Sequence, residues 1–541
     1  MIRAVTRCFA SPFRRAAFKT GWALSLALCL GLQSCVGPDF QLPKAPEIAA
    51  FTPERQPASN SAGGKTQRLE IGNTLPADWW ALFHSAELNA LVARALRDNP
   101  NVDAARAALR VAQANVYAEA GQLFPLATGD YQGTGGRVAQ PVSSPLATPT
   151  GNFYTLHTAQ FSVSYVPDVW GGTRRQIESL DAVKENQRFM NEATFLTLTS
   201  SIALGAIQEA SLRAQIAVTE RLIKISKDIL GKVKLQKELG QASGLDVAGQ
   251  EALVAQTEAT LPPLRKALAQ NRDLLTVLSG HLPGEGLPEK FEFTGLKLPR
   301  NLPVSLPSDL VAQRPDVRAA EENMHAACAL IGVALANRLP QFSLNGFYGR
   351  EGTQFANLFS GGPQFLFYTG IANASQTLFD GFTLQQKQRA AEAGFDQVAA
   401  QYRLAVLTAF QNVADALYAI RHDTVGLQKA ILAEAAAKKS LDLTRLQLTQ
   451  GQVAFPQLLA AQTIYLQASL VVILAQTNRY ADTAGLFQAL GGGWWNREAP
   501  PHVGQPQAWL ISVTGSEPNP VALEYPGATQ NEARCCEPGG K

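Results

Sequence analysis

Spaced cysteines, paired histidines and glycine-rich nucleotide loops are all missing from this chain of 541 residues. Its six cysteines (Cys8, Cys29, Cys35, Cys328, Cys535 and Cys536) make no even framework, which excludes a disulfide scaffold. Cys328 stands alone in a helical stretch and reads as a small buried apolar residue. The six histidines (His84, His157, His281, His325, His422 and His502) are scattered. None pairs at i, i+4 with another or with a cysteine, so no metal site is expected. G-x-S-x-G and G-x-G-x-x-G are both lacking. "SAGGKT", Ser61 to Thr66, ends like a phosphate-binding loop, but Ser59 replaces the leading glycine and no apolar strand precedes it. It reads as linker. These absences argue against an enzyme and against a cofactor.

Acidic residues are missing from the first 20 positions, which carry Arg3, Arg7, Arg14, Arg15 and Lys19. The apolar run that follows, "WALSLALCLGL", has roughly 11 residues where a membrane span needs ~20, so residues 1–34 read as a secretory signal. "LQSCVGPDF" resembles a bacterial lipobox, with Gln33 as its one unusual position. Cys35 then begins the mature chain and carries lipid. Loss of the five signal cations takes the formal charge from +3 to about −2. So balanced a chain has no marks of a nucleic-acid partner.

What is present is mostly helix. Residues 174–239 and 383–450 contain no proline and are rich in Ala, Leu, Gln, Glu, Lys and Arg. Each could span roughly 100 Å at 1.5 Å per residue. Val406, Phe410, Val413, Leu417 and Ile420 form one apolar stripe. A second runs from Val398 and Tyr402 through Ala405, Ala409, Asn412 and Ala416 to Ala419. Val218, Leu222, Ile225 and Ile229 space similarly in the first half. Two stripes require a neighbour on each side, which suits helices rolled into a tube better than a two-stranded coil. Glycine-marked turns, "LGQASGLD" and "TQGQVAFP", lead into returning helical runs at 245–280 and 456–490.

"NPNVDAA" (99–105) and "RPDVRAA" (314–320) echo one another. Pro125 and Pro340 follow them at matching distances. The chain therefore reads as an internal duplication of helix, strand pair, long helix, turn and returning helix. The strand pairs flank loops near 139–151 and 354–362, and alternation puts Phe161, Val163 and Tyr165 on one face with Ser162 and Ser164 on the other. Such a pair cannot cross lipid alone, because its edges would be unsatisfied; several chains must pool strands into a closed barrel.

"VGPDFQLP", "WWALF" (Trp79–Phe83), "LPSDLVAQRPDVRAAE" (Leu306–Glu321), "LFDGF" (Leu378–Phe382) and "LGGGW" together resemble the TolC/OprM superfamily. The similarity is narrowest to NodT-type lipoproteins of RND tripartite efflux systems and runs from about Cys35 to Trp495. The resemblance implies a mixed, mainly α fold: a homotrimeric α-helical tunnel of long helical hairpins, continuous with a transmembrane β-barrel of twelve strands, four per chain. It implies an outer-membrane exit duct for small molecules, with the tunnel in the periplasm. Partners would be a periplasmic adaptor, an inner-membrane RND pump and outer-membrane lipid. The alternatives are a channel for type I protein secretion and a structural envelope coiled-coil lipoprotein.

The expected plan is a signal (1–34), an N-terminal linker (35–75), first-half helices (76–122) and a first strand pair (123–170). A first long hairpin (171–280), a connector (281–305), second-half helices (306–337) and a second strand pair (338–382) come next. A second long hairpin (383–495) and a disordered tail (496–541) complete it. Gly240, Gln241, Gly244, Gly451 and Gln452 are the candidate tips for an adaptor. In the family, acidic rings after the second tip narrow the entrance; the matching positions here, Gln457 and Ala460, carry no charge. The expected gate is therefore packing around Phe455, Pro456 and Leu459. Asp246 at the first tip is either a gate carboxylate or a helix cap.

Overall fold

The computed structural model describes residues 36–46, 48, 50–137, 153–359 and 362–497. The signal, Cys35, the whole 139–151 loop and tail residues 498–541 lie outside the described residues. In chain order the elements are β1 (Ser59–Ala62), β2 (Lys65–Ile71), α1 (Ala86–Asp98), α2 (Pro100–Ala120), β3 (Leu126–Arg137) and β4 (Phe153–Tyr165). Then come α3 (Gly172–Glu238), α4 (Gly244–Ala259), α5 (Leu261–Leu278), β5 (Asn301–Val304), α6 (Pro307–Gln313) and α7 (Pro315–Ala336). The last are β6 (Gln341–Gly352), β7 (Leu366–Ser375), α8 (Thr383–Thr449) and α9 (Phe455–Ala489). The fold is mainly helical.

The echoed prolines end one helix and start the next. Asn99 and Arg314 precede Pro100 and Pro315, and both take extended backbone (φ −80°, ψ 123° and φ −83°, ψ 123°). The proline ring disfavours helical geometry in the residue before it, so α1 and α6 stop there. The two long helices also start alike. Asp168 accepts from the Thr173 and Arg174 amides at 3.0 Å each, and Asp380 accepts from the Leu384 amide at 2.7 Å. A carboxylate there satisfies amides without helical partners. Both helices are 67 residues long.

The returning helices differ from each other. Residues 245–280 were expected as one run, but the helix breaks at Thr260 because Pro262 and Pro263 cannot continue it and instead open α5. Its counterpart α9 is unbroken.

Two compact units share the chain. The first comprises the described parts of Met1–Leu42, Val111–Lys184 and Glu322–Ala400, and holds an antiparallel sheet in the order β3-β4-β6-β7. The second comprises Pro43–Arg110, Glu185–Glu321 and the described part of Gln401–Lys541, and holds the sheet β1-β2-β5.

That small sheet departs from the expected linker. Ser59–Ala62 pairs with Lys65–Arg68 around Gly63 and Gly64, whose φ of +59° and +74° suit a tight two-residue turn. The following residues pair in parallel with Asn301–Val304. Arg479, 1% exposed, clasps the hairpin. Its guanidinium donates to Gln67 Oε1 (3.0 Å) and to the carbonyls of Ala62 (2.9 Å), Asn60 (3.2 Å) and Lys65 (3.0 Å).

Within one chain a single stripe of α8 is buried: Tyr402, Val406, Ala409, Val413, Leu417, Ile420, Thr424 and Leu427. Tyr402 and Ala409 come from the second expected stripe, while Ala405, Ala416 and Ala419 are half-buried and Asn412 is exposed.

Candidate functional site

The turn after α3 and the turn after α8 have the same hydrogen-bond pattern. Gly240 donates to Lys237 O and Gln241 to Gln236 O; Gly451 donates to Leu448 O and Gln452 to Gln447 O. Gly240 and Gly451 have φ of +73° and +71°, which a β-carbon would make costly. Gly240, Gln241, Gly244, Gly451 and Gln452 are all exposed. Val233 of α3, Val247 of α4, Leu441 of α8 and Phe455, Leu458 and Ala461 of α9 form one apolar cluster, which holds the two turns together.

The candidate gate residues separate. Phe455 is buried in that cluster and Leu459 packs on its margin, whereas Pro456, Gln457 and Ala460 are exposed. Leu458, which sequence reasoning did not single out, is more buried than Phe455. Asp246 closes a capping box. Its carboxylate accepts from the Ser243 amide (2.9 Å) and hydroxyl (2.7 Å), while its own amide donates to Ser243 Oγ (3.2 Å).

A second cluster lies in the first unit, around the residues that follow Cys35. The Val36 amide donates to Trp170 O at 3.1 Å. Arg175 of α3 donates to Val36 O and Gly37 O at 3.4 Å each, and pairs with Asp39 at 2.6 Å and Glu178 at 2.7 Å. The Phe40 ring stacks on His325 of α7 at 4.6 Å between centroids. His325 sits between Glu178 (3.1 Å) and Glu322 (3.4 Å), and hydrogen bonds to these two carboxylates push its pKa up to about 9. Burial acts to raise Glu178, but bonds from His325 and Arg175 hold it below the usual carboxylate range. Cys328 is buried as expected, and its thiol donates to Pro38 O. Gly332 permits the close approach, since a β-carbon there would lie 2.7 Å from Val36 O. No spacing in the sequence announces this clasp, because its members come from three separate segments.

The third feature is the four-stranded sheet. Directly paired residues share a face. Register therefore places Phe161, Val163 and Tyr165 with Tyr131, Leu344, Tyr348, Tyr368 and Ala372 on one side. The other side carries Thr128, Asp130, Gln132, Thr158, Gln160, Ser162, Ser164, Asn345, Thr369 and Asn373 through its middle, interrupted by Phe347 and Ile371, with Leu126, Tyr154, Leu156 and Phe367 toward its ends. Its polar groups bond across strands, Thr128 to Ser162 at 2.7 Å and Ser164 to Asn345 at 2.9 Å. One apolar and one polar face, with β3 and β7 as edge strands, is the pattern of barrel strands.

The family model for outer membrane efflux proteins matches residues 91–281 and 306–492, most of the chain. The chain belongs to the outer membrane efflux protein family. This efflux protein is 28% identical over 447 residues to the pyoverdine export outer membrane protein OpmQ of Pseudomonas putida, covering 82% of this chain and 94% of that one. It is also 28% identical over 513 residues to the toluene efflux pump outer membrane protein TtgF of Pseudomonas putida, covering 89% and 99%. The solved outer-membrane channel OprN superposes with a TM-score of 0.75 at 25% identity, covering 85% of this chain and 99% of that one. The resemblance to the TolC/OprM superfamily is thus borne out, and the protein is an outer-membrane efflux component.

Proposed function

We propose that the protein is the passive exit duct of a tripartite RND-type efflux system, exporting small molecules through a homotrimer. The observation that carries this is the two-faced sheet with open edges. A four-stranded sheet in lipid would leave the ladder groups of β3 and β7 unpaired, at several kcal/mol per group. Pairing β7 of one copy with β3 of the next, three times over, closes a barrel whose polar face lines the lumen. The duplicated halves then act as pseudo-equivalent units of one ring.

The same assembly accounts for the helices. α9 is long and apolar enough to cross a membrane by length and composition, yet it reads better as a tunnel wall. Its exposed Ile464, Val471 and Leu474 recur at near-helical spacing and suit packing on a neighbouring copy. The half-buried alanines of α8 supply a second seam of the same kind. The turns at Gly240–Gly244 and Gly451–Gln452 would meet the periplasmic adaptor, and Pro456, Gln457 and Ala460 would border the entrance. Lipid on Cys35, the residue before Val36, would supplement membrane attachment. Small molecules such as those named for OpmQ and TtgF, pyoverdine and toluene, set the expected cargo class.

Purified protein added to planar lipid bilayers should form trimers and conduct. A well-folded monomer by light scattering, or trimers without conductance, would refute the duct.

A further inference from the structure

The apolar face of the sheet is not uniform along its length. Among the described residues of its four strands it carries no aspartate or glutamate, whereas the opposite face carries Asp130 and Glu351. Among the same described residues its basic or histidine side chains are Arg137, His157 and Arg350. All three lie in the half of the sheet away from its helix-joined ends: Arg137 ends β3, and Arg350 pairs with the first residue of β7.

Aromatic rings gather at the same end. Tyr131 Oη is 3.0 Å from His157 Nδ1, and Phe355 sits edge-on to both rings at 5.8 and 5.9 Å. Phe359 packs on Phe355 at 5.4 Å. Arg137 lies over the ring of Phe153 at 5.4 Å, and Arg350 donates to Leu358 O, which ties the short 3-10 turn Phe355–Leu358 to the sheet. Phe153 and Phe359 are each 75% exposed, which a soluble surface would not favour.

We infer that this end of the apolar face is a binding site for a phosphate-bearing lipid headgroup of the outer leaflet. The inference rests on the barrel reading above, which turns this face toward lipid and its remote end toward the cell exterior. Aromatic rings with one apolar and one polar side settle at the level of headgroups. An aromatic belt alone needs no charge. The cations are what single out phosphate: a guanidinium with its Cζ 5.4 Å from the Phe153 ring centre still has N–H groups to offer, and these match phosphate oxygens in a forked pair. Among the described strand residues of this face no carboxylate opposes an anionic headgroup.

The test uses the full-length trimer reconstituted in phosphatidylcholine vesicles with either diphosphoryl lipid A or its dephosphorylated form. Glycolipid retained after detergent extraction is counted by native mass spectrometry. We expect wild type to retain the phosphorylated form at least fivefold over the other, and Arg137→Gln with Arg350→Gln to abolish that preference while conductance stays unchanged. Arg137→Gln alone, at the end of a strand, should halve the preference or more and guards against misfolding of the pair. Equal retention of both glycolipids by wild type would overturn the site and leave only an aromatic belt. Unchanged preference in the conducting double variant would overturn the named arginines. Displacement by millimolar inorganic phosphate would show a site for free anions instead of lipid. A wild-type protein that fails to conduct would remove the barrel reading, and this inference with it.

Discussion

Replacing Arg479 by methionine should release the β1–β2 hairpin while leaving the long helices intact. The guanidinium is 1% exposed and makes four hydrogen bonds to oxygen, three of them to main-chain carbonyls of residues 60–65. Each bond from a charged donor contributes about 1.5–3 kcal/mol, but burying the cation costs several kcal/mol in return. Methionine keeps most of the volume, so the loss is electrostatic and not a cavity. It leaves buried oxygens without a donor, and each buried acceptor left unsatisfied costs about 1–3 kcal/mol. Taking ~3 kcal/mol, the opening equilibrium of residues 59–71 rises by roughly 150-fold. Hydrogen exchange read by mass spectrometry on a peptide spanning those residues measures this directly. Arg479→Lys keeps the charge but not the fork, so it should fall between the two. If Arg479→Met exchanges within threefold of wild type across 59–71, the clasp contributes nothing and the reasoning fails.

Three further outcomes are expected. His325 has a folded pKa of about 9, above its unfolded value near 6.5; its contribution is therefore complete below about pH 6.5 and lost as pH rises through about 9. Proteolysis just after Phe40 should accelerate between pH 8 and 10, and His325→Gln should erase that step; a pH-independent rate in wild type would contradict it. Gly332→Ala should loosen the same segment at any pH, at a cost of about 1–3 kcal/mol, because the new methyl group meets Val36 O at 2.7 Å and Arg175 Cγ at 2.9 Å; unchanged proteolysis would show that the segment is not held there. Ala460→Asp, on the exposed side of α9, should introduce block by divalent cations in a reconstituted trimer, and strong block already present in the unmodified protein would mean that a carboxylate ring lies elsewhere.

The long elements could be read from the sequence because each carries its signal locally. Proline-free stretches at 174–239 and 383–450 became Gly172–Glu238 and Thr383–Thr449. The alternation at Phe161–Tyr165 survives in the register with β6. What escaped depends on partners distant in sequence. "SNSAGGKTQRLEI" is polar and has no strand periodicity, and its pairing partners are Asn301–Val304 and Arg479. His325 looked isolated because Glu178 and Phe40 lie on other segments. At the second tip the packing expected around Phe455, Pro456 and Leu459 divides, because helical rotation turns Phe455 and Leu458 into the cluster, sets Leu459 on its margin and leaves Pro456 and Gln457 outside. The break at Thr260 has a local signal in Pro262 and Pro263, which the surrounding Ala- and Gln-rich composition masks.

The small sheet also constrains the order in which the chain can fold. Its parallel pairing joins Arg68 to Asn301, and its clasp reaches from Arg479 back to Asn60. Loop closure over such spans must be met before the pairing gives anything back, so this sheet is a late event. The hairpin is synthesised 417 residues ahead of the Arg479 that clasps Ala62. In the interval its edges are open to pairing with other chains. A truncation before α9 would therefore leave the hairpin without its clasp permanently.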